Sequence, residues 1–563
     1  MIGIVGLGSV GEALLGIVRE TGHEVIGVDA DPAVLARVRK RPSPTGSAGL
    51  HLTEEIAQVS RADLVVEAVT EDEALKTEVL HRLRTVCTDT TVVVSTTAAL
   101  PLTRLAVASG RPGEMMGLRF LAPPLPGGPV EPVRTAMTSK NTVATVDELI
   151  ARIGLTSVTV GTGYGADATA LVYAYLNRAV ALYERGEASR DDIDSAMRLG
   201  CGLPNGPFEL LDRIGLDSAL SVLSDLWART GDNSFAPASA LVRLVREDRL
   251  GRKCGRGFYT YDDLGKPVDI RPSAPPPGEA ACVRRIGVVG SGTMADGIAE
   301  ATSVAGFSTV LVARDAEKSF DALERIGKSL VRNVLRGKVA PRAKAAALEL
   351  LVGTHDFAAL RECDLVIEAV AESLDVKRAV FARIGAVCAP GTLLATTTSS
   401  LSVTACAEAS GRPSQVVGMH FFNPAPVMRL VELVRTQATS DEAAATAQAV
   451  CERLGKTTVD SRDRAGFIVN YLLFPYLGRA LALLDRYDAD IEGIDTAVER
   501  GFGYPMGPFA LLDAIGLDVS LNIQQELYKA FGEPDFVPSP VLEQLVAGGR
   551  LGRKNRKGLR ATG

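Results

Sequence analysis

The chain repeats itself at one fixed distance, and this constrains its fold more than any other feature. Ala62-Asp-Leu-Val-Val-Glu-Ala-Val69 returns as Cys363-Asp-Leu-Val-Ile-Glu-Ala-Val370. Gly206-Pro-Phe-Glu-Leu-Leu-Asp212 returns as Gly507-Pro-Phe-Ala-Leu-Leu-Asp513, and Leu250-Gly-Arg-Lys253 as Leu551-Gly-Arg-Lys554. Each pair is 301 positions apart (363 − 62, 507 − 206, 551 − 250). Self-similarity at a fixed period marks a duplicated structural unit. Earlier the offset shrinks: Gly6 pairs with Gly290, 284 positions on, so copy one is 17 residues shorter (301 − 284) between its second strand and Ala62. At 563 residues the chain is too long for one core, so several domains are expected.

Each copy opens with short β-branched runs alternating with helical segments, the pattern of a doubly wound parallel sheet. In copy two these runs are 285–289, 308–312, 365–369, 393–396 and 416–419; from Ala465 strand signals fade into apolar-periodic helix. The expected domains are 1–162 and 163–262 for copy one, and 284–464 and 465–563 for copy two. Between the copies, residues 263–283 hold Pro267, Pro272, Pro275, Pro276 and Pro277 and read as a semi-rigid, unpacked linker.

Lys and Arg are scattered and the net charge is −6, which argues against a nucleic-acid surface. The eight Cys include no C-x-x-C, so neither a metal site nor a disulfide framework is indicated and a cytoplasmic setting is expected. The most apolar stretch, Phe467 to Leu484, is broken by Asn470, Pro475, Gly478 and Arg479. It suits a buried helix at a domain or subunit interface rather than a membrane span.

Two glycine motifs carry the first chemistry. Gly6, Gly8 and Gly11 follow an opening strand, and Asp29 ends the next one. Such glycines let backbone approach a pyrophosphate at a helix N-terminus, and the acid binds ribose hydroxyls. In copy two the motif reads Gly290, Gly292 and Ala295, and the acid's place is taken by Ala313 followed by Arg314. An Arg there pairs with a 2′-phosphate, which tilts copy two toward NADP(H); the alternative is a solvated side chain beside a ribose held by other groups.

Of five His, only His420 sits where chemistry gathers, at the end of a parallel strand in Gly418-Met-His-Phe-Phe-Asn-Pro424. Twelve residues on, Glu432 interrupts the apolar run Leu430–Val434. A carboxylate there is costly unless partnered, and a His–Glu pair would meet that need and poise the imidazole as a base. Ser399 alone reads more often as a strand-end cap than as a functional group, and Asn470 alone more often as a partner for buried backbone.

Taken together, Thr396-Thr-Thr-Ser399, His420-Phe-Phe-Asn-Pro424, Glu432, Gly466-Phe-Ile-Val-Asn470 and Gly503-Tyr-Pro-Met-Gly-Pro-Phe509 resemble the L-3-hydroxyacyl-CoA dehydrogenases, once per copy. The resemblance implies α/β plus all-α architecture: a Rossmann-like NAD(P)-binding domain, then a helical domain like the C-terminal part of 6-phosphogluconate dehydrogenase. It implies oxidation of 3-hydroxyacyl-CoA to 3-ketoacyl-CoA, or the reverse, as in fatty-acid β-oxidation. It further implies His420 as base, Glu432 as its orienting acid, and Ser399 and Asn470 as hydrogen-bonding groups. Glu372, Lys377, Asn423 and Lys554 match cofactor contacts, with NAD(H) or NADP(H) as cofactor. Ser329 and Arg336 fall where a helical hairpin holds CoA.

In copy one, subtracting 301 turns Ser399 into Ala98, His420 into Arg119, Glu432 into Glu131 and Asn470 into Thr169. Arg119 cannot act as a base. The missing 17 residues fall where the hairpin belongs. Copy one is therefore expected to be inactive, with vestigial nucleotide groups, and to serve as an intramolecular pseudo-dimer partner. Further homo-oligomers stay open. Two other readings also stay open: the same chemistry on a carrier-protein thioester, and a non-catalytic nucleotide- or thioester-binding protein. Finally, Lys253-Cys-Gly-Arg-Gly-Phe-Tyr259 has become Lys554-Asn-Arg-Lys-Gly-Leu-Arg560, which reads as a decayed closing loop.

Overall fold

A computed structural model describes residues 1–40, 49–98, 100–120, 122–158, 168–270, 279–487 and 490–560. Each copy builds an eight-stranded sheet with the same order. In copy two the strands run, edge to edge, Leu351–Thr354, Ser308–Val312, Arg285–Val289, Leu365–Glu368, Leu393–Thr396, Val416–Phe421, Leu430–Arg435 and Thr457–Arg462. All neighbours are parallel except Val416–Phe421 with Leu430–Arg435, which are antiparallel. The central strands are buried along their length because helices cover both faces, which explains their unbroken Val/Ile/Leu runs.

All five expected strands form. Leu351–Thr354, Leu430–Arg435 and Thr457–Arg462 come in addition, and the second of them puts Glu432 inside the sheet. Its apolar run is strand-like; the acid within it masked the pattern. The length difference between copies is also visible. Copy two follows its second strand with Ala316–Leu335 and Pro341–Leu350, whereas copy one has the single helix Pro32–Lys40 before the stretch 41–48, outside the described residues.

The helical halves meet along Ala168–Glu184 and Val469–Tyr487, helices 301 positions apart, and share one hydrophobic core. Tyr175 packs edge-on against its own repeat partner Tyr476, ring centres 6.1 Å apart. Arg178 pairs with Glu533 at 3.3 Å, and the repeat-related Arg479 with Asp232 at 2.8 Å. The apolar stretch thus forms a buried helix between the copies, as its broken composition suggested. No described helix is long and apolar enough to cross a membrane.

The linker differs from expectation at both ends. Residues 262–270 fold back on copy one, where Asp269 accepts from Thr260 N–H at 2.9 Å and pairs with Arg190 at 3.1 Å. At the other end Ala281 N–H donates to Thr446 Oγ1 at 2.9 Å, and Val283 is buried. Proline-rich composition marked the break but not the side-chain anchors that pin its flanks; 271–278 lie outside the described residues.

Candidate active site

In copy two the glycine turn joins the strand Arg285–Val289 to the helix Thr293–Val304. Gly290 takes φ +140°, and a methyl there would lie 2.4 Å from the Ala369 carbonyl oxygen. A methyl at Gly292 would meet nothing within 4 Å, leaving the backbone open toward the cleft. Ala295 is fully buried and closes helix on strand. This cradle suits a pyrophosphate. Ala313 is buried at the end of the strand Ser308–Val312, while Arg314 is exposed and 3.5 Å from its neighbour Asp315.

A group missed at the sequence level lies here. Arg325 pairs with Asp296 at 2.6 Å and donates to the Ser291 carbonyl at 2.8 Å, gripping the glycine turn. Copy one has the same device: Arg37 pairs with Glu12 at 2.9 Å and donates to the Leu7 carbonyl at 3.3 Å. The two arginines are 288 positions apart (325 − 37), matching neither repeat offset, so no fixed-offset comparison finds them.

At the other end of the cleft the antiparallel register sets His420 directly opposite Glu432. His420 Nδ1 lies 2.6 Å from Glu432 Oε2, and both side chains are buried. Glu432 Oε1 accepts from Ile468 N–H at 3.0 Å and Val469 N–H at 2.9 Å, at the start of the helix Val469–Tyr487. These helix-terminal donors satisfy one oxygen of the buried carboxyl and fix its orientation. They are aimed by a turn in which Gly466 (φ +73°) and Phe467 (φ +48°) both adopt left-handed backbone. A left-handed non-glycine residue costs roughly 1–2 kcal/mol, held here by packing of the fully buried Phe467 ring 5.5 Å from the imidazole centre. Phe422 covers the imidazole at 4.5 Å. With Nδ1 occupied by an anion, Nε2 is the nitrogen left to take a proton.

Ser399 and Asn470 come together: Asn470 Nδ2 donates to the Ser399 carbonyl at 3.4 Å, and Ser399 Oγ donates to Glu372 Oε1 at 3.1 Å. Glu372 also accepts from Ser399 N–H at 2.8 Å and Thr398 Oγ1 at 2.7 Å. Lys377 does not face the cleft. It is buried behind Glu372, 2.8 Å from Glu368 and 3.4 Å from Glu372. Burial works to raise the Glu372 pKa, but the Lys377 charge and the Thr398 and Ser399 donors outweigh it and hold the carboxyl below its ordinary value of 4.5. A carboxylate depressed in the fold contributes stability above its unfolded pKa and loses it as pH falls. The difference in urea midpoint between wild type and Glu372→Gln is therefore expected to be constant near neutrality and to shrink below about pH 4.5.

Other expected contacts are placed differently. The Ser329 hydroxyl and the Asn333 amide face the buried Glu300, so Ser329 is turned onto the helix Thr293–Val304 that follows the glycine turn. Arg336 ends the helix Ala316–Leu335 at its exposed tip, Asn423 is exposed, and Lys554 pairs with Asp518. The C-terminal loop is not decayed in shape. Asp513 accepts from Leu559 N–H at 2.8 Å and Arg560 N–H at 3.0 Å, as Asp212 accepts from Phe258 and Tyr259 N–H, both at 2.8 Å. Arg560 reaches Asp495 at 3.5 Å, where Tyr259 Oη donates to Asp194 at 3.1 Å in copy one. Backbone capture by one buried Asp preserves the turn through a change of side chains.

In copy one Arg119 stands opposite Glu131 in the same register and pairs with it at 3.0 Å. Glu71 accepts from Ala98 N–H at 2.9 Å, mirroring Glu372, but Ala98 offers no hydroxyl. A cleft of about 590 Å³, lined among others by Gly6, Gly8, Asp29, Tyr173 and Lys253, remains between its two domains. Asp29 Oδ2 accepts from Leu7 N–H at 2.7 Å, which places the acid against the glycine turn.

Comparison with known proteins agrees with this geometry. The family model for the NAD binding domain of 3-hydroxyacyl-CoA dehydrogenase matches residues 1–163 and 285–464, and that for its C-terminal domain matches 168–261 and 466–561. A 3-hydroxybutyryl-CoA dehydrogenase of Mycobacterium tuberculosis is 44% identical over 279 residues, 49% of this chain and 97% of the relative. Another, of Bradyrhizobium diazoefficiens, is 39% identical over 279 residues, 50% of this chain and 95% of the relative. The crystal structure of 3-hydroxybutyryl-CoA dehydrogenase from Escherichia coli K12 is alike in fold across both copies, with TM-score 0.60 over 98% of this chain and 99% of that one at 21% identity. With both domain models matched twice and nearly the whole length accounted for, the chain belongs to the 3-hydroxyacyl-CoA dehydrogenase family, an NAD-dependent oxidoreductase family, in tandem duplicate.

Proposed function

We propose that copy two interconverts (3S)-3-hydroxyacyl-CoA and 3-ketoacyl-CoA, with a short acyl group such as hydroxybutyryl, and that copy one is its built-in partner. The observation that carries this is the contrast at one register position: His420 on Glu432 in copy two, Arg119 on Glu131 in copy one. In the oxidative direction, His420 Nε2 takes the proton of the 3-hydroxyl while Glu432 stabilises the imidazolium through Nδ1. The bound nicotinamide supplies the hydride acceptor for C3. Ser399 and Asn470 hold the reacting oxygen at the cleft, and the Gly290–Ala295 cradle holds the pyrophosphate. The repeat-related contacts Tyr175–Tyr476, Arg178–Glu533 and Arg479–Asp232 support copy one as a pseudo-dimer partner, because two-fold assemblies pair one patch with its own image.

Reduction of acetoacetyl-CoA with NADH and NADPH side by side tests the reaction and the meaning of Ala313-Arg314. If Arg314 serves a 2′-phosphate, Ala313→Asp lowers the NADPH-to-NADH ratio of kcat/KM about tenfold or more, since an acid there repels that phosphate. An unchanged ratio assigns Arg314 to solvent. A second substrate form is favoured by one feature: the exposed hairpin carries Lys328, Arg332, Arg336 and Lys338 beside Leu335, which is 81% exposed. Comparing CoA-bound with carrier-protein-bound acetoacetyl thioester separates the two forms.

A further inference from the structure

The catalytic pair of copy two has a wall made by copy one. The helix Arg190–Cys201 of copy one packs against the strands Leu430–Arg435 and Thr457–Arg462 of copy two. Its last turn contains Gly200. A methyl placed on Gly200 would lie 2.9 Å from Leu430 Cδ2, 3.1 Å from Val469 Cγ2 and 3.5 Å from Phe422 Cε1. Each of these residues positions the catalytic pair. Phe422 covers the His420 ring, Val469 donates its N–H to Glu432, and Leu430 lies two residues before Glu432 on one face of one strand.

The next residue, Cys201, is half-buried, and burial first, then the Glu432 charge, push its thiol up to about 12. Glycine weakens a helix relative to alanine, so its presence in the last turn here fits the close approach it permits. Leu430 accordingly joins the hydrophobic core shared by the helical halves rather than the core of its own sheet.

We propose that copy one completes the active centre of copy two, with Gly200 as a positioning residue that holds Phe422, Leu430 and Val469 against the His420–Glu432 pair. This goes beyond stabilisation of the fold and rests on copy two being the catalyst. His420→Gln tests that reading separately, because it leaves the wall intact.

The test uses the full chain with Gly200→Val, Gly200→Ala and the matched Gly501→Val. Gly501 is the repeat partner of Gly200, in the helix Ile491–Phe502, which packs against the copy-one strand Pro129–Val133. That strand carries Glu131, which is opposite Arg119 rather than a histidine. In acetoacetyl-CoA reduction, Gly200→Val is expected to lower kcat between about 10- and 100-fold, as displacements of up to 1 Å at a catalytic group do, with KM for both substrates within about twofold. Gly200→Ala gives a smaller fall, because its added methyl meets mobile side-chain ends. Gly501→Val leaves kcat near wild type. Melting temperature is read for all three variants. A folded Gly200→Val with wild-type kcat overturns the proposal, as does an equal fall for Gly200→Val and Gly501→Val. Should the valine variant not fold, a lowered kcat in folded Gly200→Ala supports it, and an unchanged one overturns it.

Discussion

Replacing His420 by Gln is expected to lower kcat for acetoacetyl-CoA reduction by about 10²–10⁴-fold, the usual contribution of a positioned acid–base group. Glutamine fills a similar volume and keeps a hydrogen-bonding partner for Glu432, so the sheet edge stays folded. It cannot exchange a proton with the substrate oxygen. NADH binding, read by fluorescence, is expected to be unchanged, because the glycine cradle lies after a different strand. A wild-type rate in the His420→Gln enzyme would remove the assigned base and, with it, the assignment of catalysis to copy two. The hydrogen bond at 2.6 Å with Glu432, itself fixed by two backbone donors, makes partial rescue by a neighbouring group implausible.

The second large effect is expected from cutting the chain between the copies. Residues 283–563 alone, which keep the buried Val283, would expose the face of Val469–Tyr487 that copy one covers, including Leu473 and Tyr476 against Tyr175, and would leave Arg479 without Asp232. Burying one such apolar side chain is worth about 1.5–3 kcal/mol, and a whole domain holds only about 5–15 kcal/mol in reserve. A few such losses suffice. The fragment is therefore expected to aggregate or to self-associate through the vacated face, as judged by size-exclusion chromatography with light scattering. A soluble monomer with full activity would show that copy one is dispensable.

Much of this molecule was legible in the sequence because duplication wrote it twice. The 301-residue offset located both helical halves, and the change to 284 located a 17-residue deficit in copy one, which the family resemblance identified with the hairpin. The five expected copy-two strands formed because their Val- and Ile-rich runs have no other stable place than a sheet covered on both faces. His420 stood out as the one histidine at a strand end, and its pairing with Glu432 was legible because an acid in an apolar run needs a partner. Glycine spacing likewise announced the nucleotide cradle.

Other features were not legible, for particular reasons. Arg325 and Arg37 grip equivalent turns from helices that start at the same 284 offset, Pro32 and Ala316, but Arg325 stands four residues, about one helical turn, further along its helix, so residue-by-residue matching misses it. The closing loop of copy two looked lost, yet Asp513 holds its backbone whatever side chains the loop carries, and backbone capture leaves little trace in residue type. Lys377 matched a cofactor contact by position, but burial turned it into the counter-charge for Glu368 and Glu372.

The sequence alone determined that there are two copies, that each pairs a nucleotide sheet with a helical half, and that only copy two carries a histidine, His420, where copy one carries Arg119. Those properties follow from residue identity and spacing along one chain. Only the tertiary structure decided that His420 and Glu432 lie in antiparallel register, that two backbone N–H groups at the start of a distant helix donate to Glu432, and that Gly200 of copy one lies against Phe422, Leu430 and Val469. These depend on groups from 12 to more than 200 residues apart meeting at van der Waals or hydrogen-bond distance. Spacing along the chain carries no record of such meetings; packing creates them.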